Sequence, residues 1–481
     1  MKNKKVLGVF ALAMINVAAV LTLRNFPAMA EYGWASITWY VLGTVLFLLP
    51  IALVGAELAT AWPKAGGVYA WVHEAFGERW GFLAIWCEWS ENVVWFPTVL
   101  SFIAVTLAYV IDPGLANNKL FMFTVMMVAF WGLTALNLFG TRASAYFSTV
   151  GVIAGTLVPG FLIILLAAAW LAGGNALQIP FSVSALAPSL DISTLPFMGT
   201  VILLFAGMEM AGYHALETRD PQRDYPSAMF ISAAIIVVLT TVGTLAVAIV
   251  VPAKDIQLSG GLMQAFQDFL NALHLGGFVP LVAFLVGVGA LALVSTWLFG
   301  PAKGLAEAAN RGSLPALFGS TNRFESPTTV LISQALLGTA LSVLFLFMPT
   351  VNAAYWVLSA LTVQVLCLMY MLVFASVVAL RYSQPETARA YRIPGGMAGA
   401  WIVGGAGFVA CLFTFMVGFF PPSNVESGST LVYVVGMIIG TILLSCPPFL
   451  FLVTKGRLWA RPSGGPTVGG IGPRPVKPPV V

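Results

Sequence analysis

The stretch at residues 227–251 reads SAMFISAAIIVVLTTVGTLAVAIVV and contains no charged side chain. Because a helix of about 20 apolar residues spans the hydrocarbon core of a bilayer, this stretch predicts a membrane-spanning helix. Similar apolar stretches, separated by short polar or Gly/Pro-marked connections, fill nearly the whole chain. We therefore predict an all-α integral membrane protein with about twelve transmembrane helices. The predicted spans lie near residues 6–30, 36–62, 81–111, 120–140, 146–173, 195–216, 227–251, 277–300, 328–348, 353–380, 398–420 and 430–454.

The composition excludes a water-soluble protein of this size. Of the 481 residues, 59% are hydrophobic and 8% are charged, whereas soluble proteins carry roughly 25% charged residues. We expect one transmembrane transporter domain over residues 1–455. Residues 456–481 turn to Pro and Gly, which predicts a disordered cytoplasmic tail.

Basic residues are distributed unevenly over the connections between the predicted spans. Since cytoplasmic loops accumulate Lys and Arg, a cytoplasmic N-terminus places nineteen of the 22 basic residues inside. Only Lys119 and Lys254 then lie outside, and Arg24 falls within the bilayer. We expect a multi-pass protein of the bacterial inner membrane, in contact with lipid, with both termini cytoplasmic. The net charge of +4 follows from this bias and does not indicate a nucleic-acid partner.

Residues suited to catalysis or metal binding are not clustered in the sequence. The four cysteines fall within predicted spans and lack the spacing of metal or redox motifs. There is no His/Cys cluster, no Gly-rich phosphate loop and no predicted soluble domain. We therefore expect no metal, no cofactor and no enzymatic activity.

Two predicted spans carry sequences typical of interrupted helices. The first span contains Asn16 and then Thr22-Leu23-Arg24-Asn25-Phe26-Pro27, and the sixth contains Phe205-Ala206-Gly207-Met208-Glu209. Many secondary transporters bind substrate where such helices unwind near the bilayer midplane. These spans would also begin two halves of five helices each, as an inverted repeat requires.

Several stretches resemble the amino acid–polyamine–organocation superfamily and, within it, the glutamate/GABA antiporters. They appear in order over roughly residues 8–450. The resembling stretches are PKAGGVYAWV at 63–72 with WGF at 80–82, GME at 207–209, DPQRDYP at 220–226, GPAKGL at 300–305 and PPSNV at 421–425. The resemblance implies amino acid exchange and a LeuT-type 5+5 inverted repeat with broken helices 1 and 6.

The resemblance also points to individual site residues. Trp297 and Tyr370 fall where the antiporters place aromatic substrate contacts, although both could instead be core aromatic residues. Glu209 falls where the superfamily keeps a glutamate in its sixth helix. In this chain Leu293 stands where the glutamate antiporter has an acidic residue, and Leu366 replaces a tyrosine. The substrate and its pH dependence therefore do not follow from the resemblance alone.

Charged residues inside a span need a partner or a water-filled cavity, because their burial in lipid is costly. Five residues meet this description: Arg24, Glu57, Glu88, Glu91 and Glu209. Arg24 could clamp a substrate carboxylate with two parallel hydrogen bonds. Alternatively, it could pair with a carboxylate of the third span and lock two helices together.

The four glutamates have different expected roles. Glu88 and Glu91 lie three residues apart, hence on one helix face. Glu91 could hold a proton, contact the ammonium group of the substrate or pair with Arg24. Glu209 could couple transport to protonation or hydrogen-bond to freed backbone. Glu57 leads into a cytoplasmic loop and is expected to be structural.

The predicted function is secondary active transport of an amino acid, by exchange or by proton-coupled uptake, with glutamate/GABA-like antiport implied by the resemblance. The candidate substrate contacts are Thr22, Arg24, Gly207, Met208, Trp297 and Tyr370, and the candidate proton-coupling residues are Glu209 and Glu91. The alternative is a channel or a membrane-embedded sensor without transport coupling. A channel predicts a continuous polar stripe, whereas the polar residues here gather at the two expected breaks.

Overall fold

The computed structural model describes residues 7–63, 66–188, 195, 198–347, 351–421 and 429–454. These residues are almost entirely helical, and among them β pairing is limited to an isolated parallel bridge between Leu7 and Thr218. The helices are α1 Val9–Val20, α2 Phe26–Ala30, α3 Ala35–Gly43, α4 Leu49–Ala61, α5 Val68–Phe76, α6 Glu78–Ile111, α7 Lys119–Leu138, α8 Thr141–Val152, α9 Val158–Ala172, α10 Met198–Phe205, α11 Pro221–Val250, α12 Gly261–Ala272, α13 Val279–Asn310, α14 Thr328–Ser342, α15 Leu344–Phe347, α16 Val351–Ser383, α17 Gly396–Val417, α18 Thr430–Ser445 and α19 Pro447–Thr454. The expected tail at 456–481 lies outside the described residues.

The described part contains eleven helical segments that are long and apolar enough to cross a membrane. About twelve were expected, and the difference falls at the expected sixth span. There α10 has only eight residues, or about 12 Å at 1.5 Å per residue. It is followed after Gly207 by a 3-10 helix, Met208–Glu217. Among the residues that the structure describes at this position, no single helix reaches spanning length.

The first candidate span is also interrupted. Helix α1 ends at Val20, and Leu21 and Thr22 are extended. A single 3-10 turn, Leu23–Asn25, then leads into α2. Pro27 occupies the first turn of α2, where its missing N–H would have no helical partner in any case. Thr22 and Arg24 therefore lie in the middle of a candidate span where the backbone is not α-helical.

Helix α6 lies at the centre of the structure and packs against α13 and α16. Elsewhere, small residues let neighbouring helices approach closely. A Cβ added at Gly155 would lie 2.2 Å from the backbone nitrogen of Gly289, so both positions require glycine. Such contacts between small residues are typical of membrane helix packing. The contact at Gly155 therefore packs the segment between α8 and α9 closely against α13.

A buried ion pair joins α4 to the end of α16. Arg381 donates from Nη2 to Glu57 Oε2 at 2.6 Å and from Nε to Glu57 Oε1 at 2.7 Å. Arg389 Nε lies 3.2 Å from the same carboxylate, and the backbone N–H of Ile393 donates to it at 2.8 Å. Glu57 therefore fixes the connection between α16 and α17 against α4.

Candidate functional site

A small cavity of about 20 Å³ lies between the two interruptions, with room for about one water molecule. Its lining includes the charged residues Arg24 and Glu91 and the apolar residues Leu293 and Leu366. The lining residues are Ala19, Val20, Thr22, Arg24, Asn25, Glu91, Asn92, Trp95, Ala206, Leu293, Trp297 and Leu366. Two larger cavities elsewhere are lined mainly by apolar side chains. Of these three cavities, the central one has the most polar lining.

The first interruption is held by a side chain of α13. Trp297 Nε1 donates a hydrogen bond to the carbonyl oxygen of Ala19 at 3.0 Å. Ala19 lies in the last turn of α1, where carbonyl groups lose their helical donors. The indole of Trp297 thus supplies a hydrogen bond that the ended helix cannot provide, while the same side chain lines the cavity.

The second interruption is held by a side chain of α16. Gly207 has a φ of +115°, a conformation that favours glycine. Its backbone N–H donates to Tyr370 Oη at 2.9 Å, and Tyr370 Oη donates to Glu209 Oε2 at 2.8 Å. A Cβ added at position 207 would lie 2.9 Å from the ring of Trp297. Trp297 therefore touches both interruptions.

Arg24 is buried, with 1% of its surface exposed. Its Nη1 donates to Thr98 Oγ1 at 2.7 Å, and its Nε has no hydrogen-bond partner. The guanidinium carbon lies 5.5 Å from the ring centroid of Trp95 and 5.2 Å from that of Tyr355. Within the described residues no ion pair joins Arg24 to Glu91, which instead accepts a hydrogen bond from its neighbour Asn92 at 2.8 Å.

These contacts do not neutralise the charge of Arg24. A desolvated cation–π contact stabilises a cation by about 2 kcal/mol, whereas burying an ion costs several kcal/mol after relaxation. Two aromatic rings and one hydroxyl therefore offset the cost of burial, but none of these groups carries a negative charge that would cancel the charge of Arg24. The cavity wall is thus suited to an anionic group.

Comparison with known sequences identifies the family. The sequence profile described as amino acid permease matches residues 7–444. The chain belongs to this permease family. The permease is therefore a multi-pass membrane protein that transports amino acids, and it is not an enzyme.

Individual relatives resemble the permease along most of their length. An uncharacterized transporter of Legionella pneumophila is 42% identical over 93% of this chain and 97% of that protein. A glutamate/gamma-aminobutyrate antiporter of Lactococcus lactis is 33% identical over 93% of this chain and 90% of that protein. A probable agmatine/putrescine antiporter of the same species is 23% identical over 82% of this chain and 83% of that protein.

The candidate residues of the permease fall into two groups. Thr22, Arg24, Glu91 and Trp297 line the cavity. The other four belong to the second interruption beside it: Gly207, Met208, Glu209 and Tyr370. Tyr370 lies in α16 and is fully buried, and its hydroxyl contacts both Gly207 and Glu209. The structure thus brings all eight residues to one region, with different surroundings for each group.

The sequence reasoning missed several residues around Arg24. Asn92 and Trp95 line the cavity, and Thr98 and Tyr355 contact the guanidinium group. Trp95 follows Glu91 by four residues, so helical periodicity could have placed both on one face. Tyr355 lies far from Arg24 in sequence, and no local pattern connects the two.

Proposed function

We propose that this permease exchanges amino acids across the bacterial inner membrane by alternating access. The observation that carries the proposal is the pair of helix interruptions facing one cavity. The interruption after α1 lies at Leu21–Thr22, and the one after α10 lies at Gly207. Transporters with discontinuous helices bind substrate at such sites and expose them alternately to either side of the membrane.

The same observation supports a specific architecture. The interrupted segments begin two groups of five expected spans, so we assign a LeuT-type 5+5 inverted repeat with broken helices 1 and 6. Under this assignment the cavity lies near the bilayer midplane. The polar residues gather at the interruptions rather than along a continuous stripe, and this distribution favours a transporter over a channel.

Roles for the site residues follow from their positions. We assign Thr22, Arg24 and Trp297 to direct substrate contact, because they line the cavity. Gly207, Met208 and Tyr370 shape the second interruption, where freed backbone groups approach the substrate. We assign proton coupling to Glu91 and Glu209, since each carboxyl group can change protonation as access to the site changes.

Exchange is the preferred mode, with glutamate/GABA-like antiport as the specific assignment. The family relationship supports it, because one relative over nearly the whole chain is a glutamate/gamma-aminobutyrate antiporter. The uncompensated charge of Arg24 supports a substrate that carries a second carboxylate. The distribution of basic residues supports an orientation with both termini in the cytoplasm.

The test is uptake of a panel of labelled amino acids into proteoliposomes that contain the purified permease. Exchange predicts uptake only when the vesicles are preloaded with an exchangeable amino acid, and protein-free vesicles give the background. Uptake into unloaded vesicles that depends on an inward proton gradient would replace exchange by proton symport. Failure to transport any member of a full panel under both conditions would refute amino acid transport at this site.

A further inference from the structure

We propose that Trp95 and Tyr355 are positioning residues that hold Arg24 as an uncompensated cation for the side-chain carboxylate of the substrate. The inference rests on the proposed exchange of an acidic amino acid and names the residues that position the cation for its side chain. Neither aromatic residue was expected from the sequence to act in the site.

The guanidinium group is held between elements that are distant in sequence. Arg24 lies in the 3-10 turn after α1, Trp95 lies in α6 and Tyr355 lies in α16. The guanidinium carbon lies within 5.5 Å of both ring centroids. Aromatic rings attract a guanidinium cation without accepting its charge. They therefore fix the position of Arg24 and leave it positively charged.

The free hydrogen-bonding capacity of Arg24 matches a carboxylate. Thr98 accepts from Nη1, while Nε has no partner. A guanidinium group presents its N–H groups in a planar fork that binds a carboxylate through two parallel hydrogen bonds. An ion pair with Glu91 would occupy this fork, but the described residues contain no such pair. The substrate can therefore supply the counter-ion.

The rest of the cavity favours an acidic substrate over a basic one. Leu293 and Leu366 line the cavity and bring no carboxylate that would repel a second negative charge. Glu91 lines the same cavity and offers an acceptor for an ammonium group. An acidic amino acid thus has a partner for each of its charged ends.

The first test compares two variants of one aromatic residue in preloaded proteoliposomes. Labelled glutamate uptake is competed with unlabelled glutamate or its neutral amide, glutamine. Tyr355→Leu removes the ring, and we expect its apparent affinity for glutamate to fall about tenfold while that for glutamine changes little. Tyr355→Phe keeps the ring and should keep the preference for glutamate. Equal losses for both ligands in Tyr355→Leu would indicate a merely structural role and refute the proposal.

The second test changes the cation itself. Arg24→Lys keeps the charge but loses the planar fork, so we expect a selective loss of glutamate affinity. Arg311→Lys is the matched control, because Arg311 also stacks on an aromatic ring, that of Tyr69 at 5.4 Å, but lies outside the cavity. Unchanged affinity for every amino acid in a well-folded Arg24→Lys variant would rule out the carboxylate contact.

The outcomes separate this inference from the proposed function. A wild-type permease that exchanges amino acids but binds glutamine as well as glutamate would refute the acidic substrate class and leave exchange intact. A wild-type permease that transports no amino acid would refute the proposed function itself. Size-exclusion profiles and thermal stability establish that each variant is folded. If Tyr355→Leu does not fold, the pair Trp95→Leu and Trp95→Phe provides the same comparison, with the same result expected and the same result refuting it.

Discussion

Two buried charged residues of this permease have opposite surroundings. Glu57 is bound by two arginines and a backbone N–H, whereas Arg24 contacts one hydroxyl and two aromatic rings. A buried charge with a complete set of partners stabilises the fold only while every partner remains. A buried charge without a counter-ion is suited to bind one. The two residues therefore differ in what their removal should change.

Removing the Glu57 carboxylate should destabilise the fold. Glu57→Gln leaves Arg381 buried without its counter-ion, and breaking a buried pair in this way costs about 3–5 kcal/mol. Glu307→Gln is the control, because its pair with Arg311 is partly exposed and should contribute at most about 0.5 kcal/mol. Thermal unfolding of the purified variants in detergent measures both. Equal melting temperatures for the two variants would contradict a stabilising role of the network around Glu57.

Glu209 should be needed for transport rather than for folding. Glu209→Gln can still accept the hydrogen bond from Tyr370, but it cannot change its protonation state. We expect normal insertion, slow exchange and an altered dependence of the rate on pH. Exchange rates measured across a range of pH, with Glu307→Gln as a control, test this. A wild-type rate and pH profile in Glu209→Gln would exclude a coupling role.

At the level of helices, each interruption is held by a side chain from another helix. Trp297 of α13 binds the end of α1, and Tyr370 of α16 binds the turn after α10. Without such partners, the backbone groups freed by an interrupted helix would be buried unsatisfied in the membrane. The interruptions are therefore stable features of the fold, and their geometry depends on α13 and α16.

Substitution of Gly207 tests this geometry. Gly207→Ala places a Cβ 2.9 Å from the Trp297 ring and strains a φ of +115°, so we expect exchange to be strongly reduced. Gly312→Ala is the matched control, since Gly312 has a φ of +90° but no atom within 4 Å of an added Cβ. Exchange assays on both variants separate crowding from backbone strain. Similar activity in the two variants would mean that the contact with Trp297 is dispensable.

In the molecule as a whole, the described residues include eleven candidate membrane spans. Cytoplasmic loops of membrane proteins are enriched in Lys and Arg. In this permease, basic residues are concentrated on alternate connections between the expected spans. This distribution sets the expected orientation of the whole bundle in the membrane.

The orientation can be tested with single cysteines in a Cys446→Ser background, because the other three native cysteines are buried. Lys254→Cys should react with a membrane-impermeant thiol reagent added to intact cells. Arg323→Cys should react only after the cells are permeabilised. Both positions are exposed, so lack of access would reflect the side of the membrane. The reverse labelling pattern would overturn a cytoplasmic location of both termini.

Features that depend on local composition could be predicted from the sequence. Hydropathy over about 20 residues predicted the spans, and most have counterparts among the eleven helical candidates. The motifs around 63–72 and 207–209 indicated the superfamily, which the family profile over residues 7–444 confirms. The unusual charge of Arg24 was also visible, because a charged residue stands out in any apolar segment.

The contacts between residues that are distant in sequence became visible in the fold. The sequence left open whether Arg24 pairs with Glu91, and the structure places Trp95, Thr98 and Tyr355 around it instead. It also showed that Trp297 holds the end of α1. Hydropathy is a property of neighbouring residues, whereas these contacts depend on how helices hundreds of residues apart are rotated and packed. The partners of a buried charge are therefore fixed by the fold as a whole.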